Sequence, residues 1–549
     1  MTTEMYFGVN NVAKHATSAY FGIDNKARKI TKMYIGVNNV ARLFYEGIIY
    51  PYGMLYSDGS MIFQFGNIAD SGKTLSNSYL INTSKLYSEG TIPWYSKRNS
   101  IKTINFKEDA ITNLAFYMIN AANLTSVNIG NLNMKNVTNM YCAFPYCHNL
   151  TGNPICGDKV TSMYQAYYNC NKLTGSPVCG ANVTDMQYTY YYCTNLTGSP
   201  ACGANVTYMF RTYYYCNNLT GSPVCGNKVT SMSSTYSYCH NLSGNPVCGT
   251  KVTDMNSAYH ACNNLTGKPV CGNNVTTMDS TYASCINLTG SPVCGANVTT
   301  MANTYRYCRY LTSSPVCGAN VTNMCETYYN CQNLTSSPVC GAKVTNMFNT
   351  YGQCRNLTGN PVYGNNVTNM YGTYQSCYNL TGNPVCGPNV TNMANIYAFC
   401  NKLTGNPVCG ANVTNMSGAY WNCNKLTGSP VCGANVTNMR NTYANCSNIT
   451  GSPVCGNKVT DISGAYYNCK KLSAGNIYIY SNNISNVKNC FGGKNNSRRY
   501  NIRAYRNTTT WNTMYKNDAN SIVGATITWT NYSNGGFYNT RYNIYVLPL

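Results

Sequence analysis

A cysteine recurs every 23 residues from Cys147 to Cys469, through Cys170, Cys193, Cys216 and the rest of the column, without an insertion. A strict period constrains the fold more than any other property, because each period must be the same structural unit in the same surroundings. Neighbouring columns hold equally well. Val stands ten residues before each Cys (Val137 to Val459) and Met seven before it (Met140 to Met439, then Ile462). Tyr stands three before it (Phe144 first, then Tyr167 to Tyr466) and Leu three after it (Leu150 to Leu472, with Ile449). One such unit has too few apolar side chains to offset the cost of ordering its own backbone, so no unit folds alone. Stacked units must bury one continuous core, and the reading is a repeat solenoid of 23-residue coils.

Within a coil, the Met, Tyr, Cys and Leu columns are spaced to share one face of a short helical segment. The Gly, the Pro and a second Cys (Cys156, Cys179, Cys202 and onward) mark an extended return path. Mixed short β and helical turns are expected. Upstream, Ile101, Ile104 and Phe106, then Leu124, Val127 and Ile129, repeat an L-x-x-L-x-L strand pattern, so the array begins near Ile101. In the main coils the middle strand position is Ser or Asn (Ser176, Asn153) and a Pro follows (Pro177, Pro154), which removes a donor and reduces each strand toward a single bridge. The V-T-N-M run, the aromatic four residues after its Met, the Cys three later and the following Leu-Thr resemble the BspA-like family of bacterial and phage leucine-rich repeats. The resemblance covers about residues 101 to 480 and implies a leucine-rich-repeat-like solenoid over 101–475.

Two Cys per coil raise the question of disulfides and metals. In-column neighbours about 4.8 Å apart have parallel side chains, and Tyr363 stands where one Cys of the second column belongs and would orphan a partner. Buried thiols packed as small apolar groups are expected. There is no C-x-x-C, and His15, His148, His240 and His260 do not cluster, so neither a metal nor another cofactor is expected. The coils carry six acids, Asp158, Asp185, Asp254, Asp279, Glu326 and Asp461. Only Asp254 and Asp279 lie near each other in the array, and two columns apart they point in separate directions, so the chain reads as no enzyme. Thr ladders (Thr138, Thr161, Thr184; Thr151, Thr174, Thr197) read as hydroxyls satisfying backbone at turns.

Sequence variation between coils falls at the positions six, five, two and one before the Cys and one after it, which the core pattern leaves facing solvent. In the coils of Cys170, Cys193 and Cys216 these positions hold Tyr164, Tyr168, Gln187, Tyr188, Tyr191, Tyr192, Phe210, Arg211, Tyr214 and Tyr215, where later coils carry mostly Ser, Gly, Ala and Asn. An exposed aromatic stripe is costly unless something covers it. Tyr offers a ring and a hydroxyl at small entropic cost, so these residues are the receptor-binding candidates, for a glycan or a protein. A lateral contact with a neighbouring subunit or with the chain's own N-terminal region is the other reading.

Only 9% of residues are charged, yet the net charge is +22, and Arg498, Arg499, Arg503 and Arg506 make the C-terminal end the most basic part. An anionic surface polymer fits that excess. No nucleic-acid-binding signature accompanies it, so nucleic acid is not expected.

Residues 1–46 contain a 14-residue repeat, Tyr6 to Lys14, Tyr20 to Arg28 and Tyr34 to Arg42, that reads as three small hairpins turning at Asn-Asn or Asp-Asn. Residues 47–100 read as a connecting β region and residues 476–549 as a basic β-cap, with strands at Ile477 to Tyr480, Tyr500 to Arg503, Ile527 to Trp529 and Tyr542 to Val546. The first repeat resembles N-terminal modules of phage virion and tail proteins, and the cap resembles the tails of phage-encoded repeat proteins. Those resemblances imply docking to other virion proteins through the N-terminal module. No basic stretch followed by an apolar run opens the sequence, so synthesis in a host cytoplasm and location on a virion are the expectation. Together they imply a phage tail or head fibre that binds the host surface, with a homo-oligomer among its expected partners; the alternative is a cellular surface adhesin of leucine-rich-repeat type.

Overall fold

The computed structural model describes residues 51–82, 88, 90–107, 113–115, 117–128, 134–472, 475–493, 499–516 and 518–549, together with the backbone of six strands within residues 5–46. Those six are β1 (Met5–Val9), β2 (Val12–Ala16), β3 (Tyr20–Ile23), β4 (Lys26–Lys29), β5 (Lys32–Val37) and β6 (Val40–Glu46). They pair as three antiparallel hairpins closing at Val9↔Val12, Ile23↔Lys26 and Val37↔Val40. The turn residues themselves, Asn10-Asn11, Asp24-Asn25 and Asn38-Asn39, lie outside the described residues.

A five-stranded sheet seals the start of the array. It contains β7 (Pro51–Tyr56), β8 (Ser60–Phe65), β9 (Leu75–Leu80), β10 (Thr103–Phe106) and β11 (Ser126–Asn128), in the order β11-β10-β8-β7-β9. β10 runs parallel to both β8 and β11, and its register Thr103↔Ser126 is already one coil of 23 residues. Trp94 is fully buried behind it, with its ring 5.4 Å from Phe63 and its Nε1–H donating to the Tyr117 carbonyl at 2.8 Å.

Beyond β11 the chain winds into the solenoid, and here the helical expectation fails. Each coil is a run of tight turns. In the coil of Cys193, the amides of Thr189, Cys193 and Leu196 close three-residue turns on Met186, Tyr190 and Cys193. The amides between them, Met186, Tyr188, Tyr190 and Tyr192, reach instead to Tyr208, Phe210, Thr212 and Tyr214 of the next coil, at 2.8–3.0 Å. An α-helix about 10 Å across cannot stack at a spacing near 4.8 Å, and it would spend on itself the amides that join one coil to the next. Turns keep the apolar face that the spacing revealed: Val183, Met186, Tyr190, Cys193 and Leu196 are all fully buried.

The β component is one residue wide. Parallel bridges run without a break from Asn113 through Asn139, Ser162 and Asp185 to Asp461 and Asn486, on the column eight residues before the Cys. The side chain there caps the turn it enters: Asp185 Oδ1 accepts from the Gln187 amide at 2.9 Å, and Asn323 Oδ1 from the Cys325 amide at 3.0 Å. The bridge is thus on a different segment from the Leu-Thr-Gly-Ser-Pro stretch where strands were expected. Just past that stretch a strand forms at the end of the array, β12 (Val454–Cys455).

Elsewhere the core side chains satisfy the backbone left without a ladder. The Tyr190 hydroxyl donates to the Val178 carbonyl at 2.8 Å and accepts from the Val178 amide at 3.0 Å, and the same pair of bonds recurs from Tyr167 with Ile155 to Tyr443 with Val431. The Cys193 Sγ–H donates to the Tyr167 carbonyl of the preceding coil at 3.0 Å, as Cys216 does to Tyr190 and Cys469 to Tyr443. All 31 cysteines are free thiols. The Thr184 hydroxyl donates to the Thr161 carbonyl at 3.1 Å, the turn-satisfying role read for the Thr ladder.

The far end is closed by β12 with β13 (Gly475–Ile479), β14 (Tyr500–Ala504), β15 (Thr530–Tyr532), β16 (Gly536–Asn539) and β17 (Ile544–Pro548), ordered β12-β13-β14-β17-β16-β15. The strand expected at Ile527 to Trp529 falls at β15 instead, because Ile527 is buried and the Trp529 ring packs edge-on against Phe537 at 4.7 Å. A short helix, α1 (Thr509–Met514), was not foreseen; the Thr508 side chain caps it by accepting from the Trp511 amide. Among the described residues no helix is long and apolar enough to cross a membrane.

Candidate functional site: an aromatic face on left-handed turns

Two of the variable columns share an unusual backbone. Five residues before the Cys, φ is positive at Gln165, Tyr188, Arg211 and Ser234, and it stays so along the array to Gly464. One residue before the Cys, φ is positive at Tyr146, Asn169, Tyr192, Tyr215 and Tyr238, and onward to Asn468. The left-handed region costs an L-residue roughly 1–2 kcal/mol, and Gly and Asn bear it best. Many later coils follow that rule, with Gly372, Asn395, Gly418 and Asn441 in one column and Asn422, Asn445 and Asn468 in the other, while Tyr307, Glu326, Gln353 and Phe399 do not. The early coils break it with Tyr188, Tyr192, Arg211 and Tyr215, at φ of 55°, 59°, 52° and 62°.

The turns bring the nine sequence candidates other than Gln187 into one surface. Tyr168, Tyr191 and Tyr214 stack in a row at 4.7 and 5.0 Å with rings within 10° of parallel. Beside them Tyr192 and Tyr215 stack at 4.6 Å, and the two rows touch where Tyr191 and Tyr192 lie 4.8 Å apart. Tyr188 meets Tyr164, Tyr191 and Phe210 edge-on, and the Arg211 guanidinium lies 5.0 Å from the Phe210 ring and 5.4 Å from that of Tyr214.

The stripe is half-buried rather than exposed, which corrects the sequence reading. Within the two rows each ring covers a face of the next, which leaves every one of these residues half-buried. Burial pushes the Tyr168 hydroxyl above its ordinary pKa, with Tyr146 and Tyr191 adding to it. The surface is also longer than the three coils first singled out. Tyr141 stacks on Tyr164 at 4.8 Å, Tyr238 on Tyr215 at 4.3 Å, and His260 on Tyr238 at 5.1 Å. The same columns, followed one coil upstream and two downstream, would have found all three.

The acids of the coils are engaged in turn structure. Asp254 accepts from the Asn256 amide at 2.8 Å and from the Ser231 hydroxyl at 3.1 Å, and Asp279 accepts from the Thr300 hydroxyl and the Ala302 amide. Glu326 pairs with Arg306 at 2.8 Å. Burial raises the pKa of Asp185, and the Gln187 amide works against that shift. Among the described residues no three His, Cys, Asp or Glu side chains converge on a point where a metal could sit.

The structure does not gather the basic cap residues into one cluster. Arg499 lies 3.7 Å over the Tyr545 ring, Arg503 donates to the Pro548 carbonyl at 3.2 Å, and Arg506 packs against Gly535. Arg498 lies outside the described residues.

A family model described as a Mycoplasma protein of unknown function, DUF285, matches residues 94–202 and 391–504, the two ends of the array. No curated protein matches the chain. Among solved structures the chain is similar to a leucine rich cell surface protein from Faecalibacterium prausnitzii, at 11% identity and a TM-score of 0.29 over 71% of this chain and 93% of that one. It is also similar to a leucine-rich repeat protein from Bacteroides ovatus, at 11% identity and 0.23 over 84% and 95%, and to one from Eubacterium ventriosum, at 14% and 0.25 over 70% and 90%.

Proposed function

We propose that this protein is a non-enzymatic adhesin of a cell surface, a rod that holds its ligand on the aromatic face of the coils of Cys170, Cys193 and Cys216. One observation carries the reading: Tyr188, Tyr192, Arg211 and Tyr215 fill left-handed turn positions in two consecutive coils, where most other coils place Gly, Asn or Ser and bulky residues such as Tyr307, Glu326 and Phe399 occur singly or apart. Bulky residues kept on strained backbone are a mark of a working surface, since stability alone favours the smaller choice. The family model is described from Mycoplasma, a cellular organism, which favours a cellular protein over the virion fibre that the resemblances at the two ends implied. Labelling intact cells and purified phage particles with an antibody to the rod separates the two locations.

The site is tested by replacing Tyr191, Tyr192, Tyr214 and Tyr215 with Ser, residues that other coils carry in the same columns. The variant should remain a folded rod and lose cell binding. Unchanged binding sinks the site, and loss of self-association with binding intact assigns the face to a lateral contact instead.

A further inference from the structure

A second surface lies on the outside of the C-terminal sheet. The registers Tyr478↔Arg503, Asn501↔Tyr545 and Tyr538↔Tyr545 put these five residues on one face across four strands, while the opposite face, with Ile477, Ile502 and Val546, is buried in the core. Two guanidiniums are held in place there. Arg499 lies over the Tyr545 ring at 3.7 Å and its Nε–H donates to Asn501 Oδ1 at 2.9 Å, and Arg503 is tied to the Pro548 carbonyl. Among the described residues no acid pairs with either of them. From Lys470 to Leu549 the sequence has ten Lys and Arg against the single acid Asp518. The ion pairs found among the described residues, Lys73–Asp58, Lys107–Asp70 and Arg306–Glu326, all lie elsewhere.

We propose that this face binds an anionic polysaccharide, whose carboxylate or sulfate groups pair with Arg499 and Arg503 and whose hydroxyls meet the Asn501 amide and the Tyr478 and Tyr538 hydroxyls. Fixed guanidiniums suit such groups because their donors are already aimed and little freedom is lost on binding. Single-stranded nucleic acid needs open ring faces for its bases. The Tyr545 ring is already engaged, by Arg499 at 3.7 Å and by a parallel Tyr538 ring 5.3 Å away. A membrane surface needs apolar side chains that reach outward, and Leu547 on this face is buried.

The test is a titration of the full chain with dextran sulfate, neutral dextran and oligothymidylate of matched charge, at several salt concentrations. Dextran sulfate should bind, more weakly as salt rises, and neutral dextran should not. The R499Q/R503Q variant should lose at least tenfold in affinity, and K402Q/K425Q, which removes the same charge from the coils, should lose much less. Equal losses in the two variants overturn the site, because the array's general charge then explains the binding. Oligothymidylate binding as tightly as dextran sulfate, with the same dependence on Arg499 and Arg503, overturns the choice of ligand.

Discussion

The core tyrosine is the residue that lets this chain do without a regular sheet. Its ring stacks on the next at 5.4–5.8 Å from Tyr167 to Tyr466, which Phe could also do, but its hydroxyl serves both the amide and the carbonyl of a residue just past the Pro. Tyr466 is a natural control: its segment, Val454–Cys455, is drawn into a strand with β13, and its buried hydroxyl has no partner. Replacing Tyr282 with Phe should therefore cost about 1–3 kcal/mol and speed hydrogen exchange at the Val270 amide tenfold or more. Tyr466→Phe should cost close to nothing; equal effects at the two sites contradict the role of the hydroxyl. The buried thiols give a second test. Burial pushes Cys147 and Cys193 up to about 12 and Tyr282 well above its usual value. The folded coils hold protons that the unfolded chain releases from about pH 8.5 upward, so stability is complete below that pH and is lost as pH climbs toward 12. Denaturant midpoints followed by circular dichroism should fall steeply above about pH 9, and a flat profile to pH 11 argues against protonated, hydrogen-bonded thiols.

At the scale of the coil, the sequence carried the period and the core columns, and misled on the path between them. Met, Tyr, Cys and Leu are spaced alike for a helix and for successive tight turns, since both return a side chain to the same face every three or four residues. The signal that separates them was present in the columns one and five before the Cys, where later coils carry Gly and Asn, the residues that accept positive φ. The strand was sought where leucine-rich repeats place it, but Pro177 and Gly175, the latter at a φ of 80°, end it, as Pro and a left-handed Gly or Ser do in the same columns of the other main coils. Pairing moved to the Asn, Asp and Ser column, whose short side chains cap the adjoining turn. Close stacking also explains the invariant Gly after the second Cys. A Cβ at Gly249 would sit 2.9 Å from both the Cys225 Sγ and the Gly226 carbonyl of the coil before it. Gly249→Ala should therefore destabilise the array by roughly 1–3 kcal/mol, read as a lower thermal midpoint, even though its φ suits Ala. An unchanged midpoint means that the coils stack more loosely than these distances.

For the whole molecule, the division of labour follows from the columns: constant residues build a rod, and variable ones on one wall give each coil its own surface. The candidate site was legible because its aromatic residues break the pattern of their columns. Its half-burial was not, because mutual stacking of Tyr168, Tyr191 and Tyr214 depends on a coil spacing that a single sequence does not display. The arginines of the cap were legible as charge, but their separate anchoring to Tyr545 and Pro548 follows from strand register. Everything rests on coils that contact only their neighbours, as the ladder from Asn113 to Asn486 shows, and length can then change without loss of fold. The direct measurement is solution scattering of the full chain beside a variant lacking Val367 to Asn389, which is one coil of 23 residues and rejoins Asn366 to Val390 in the native repeat order. Nearest-neighbour stacking predicts a soluble rod shortened by about 4.8 Å, with the same cross-section. Aggregation of the shortened chain, or a change in its cross-section, would contradict it.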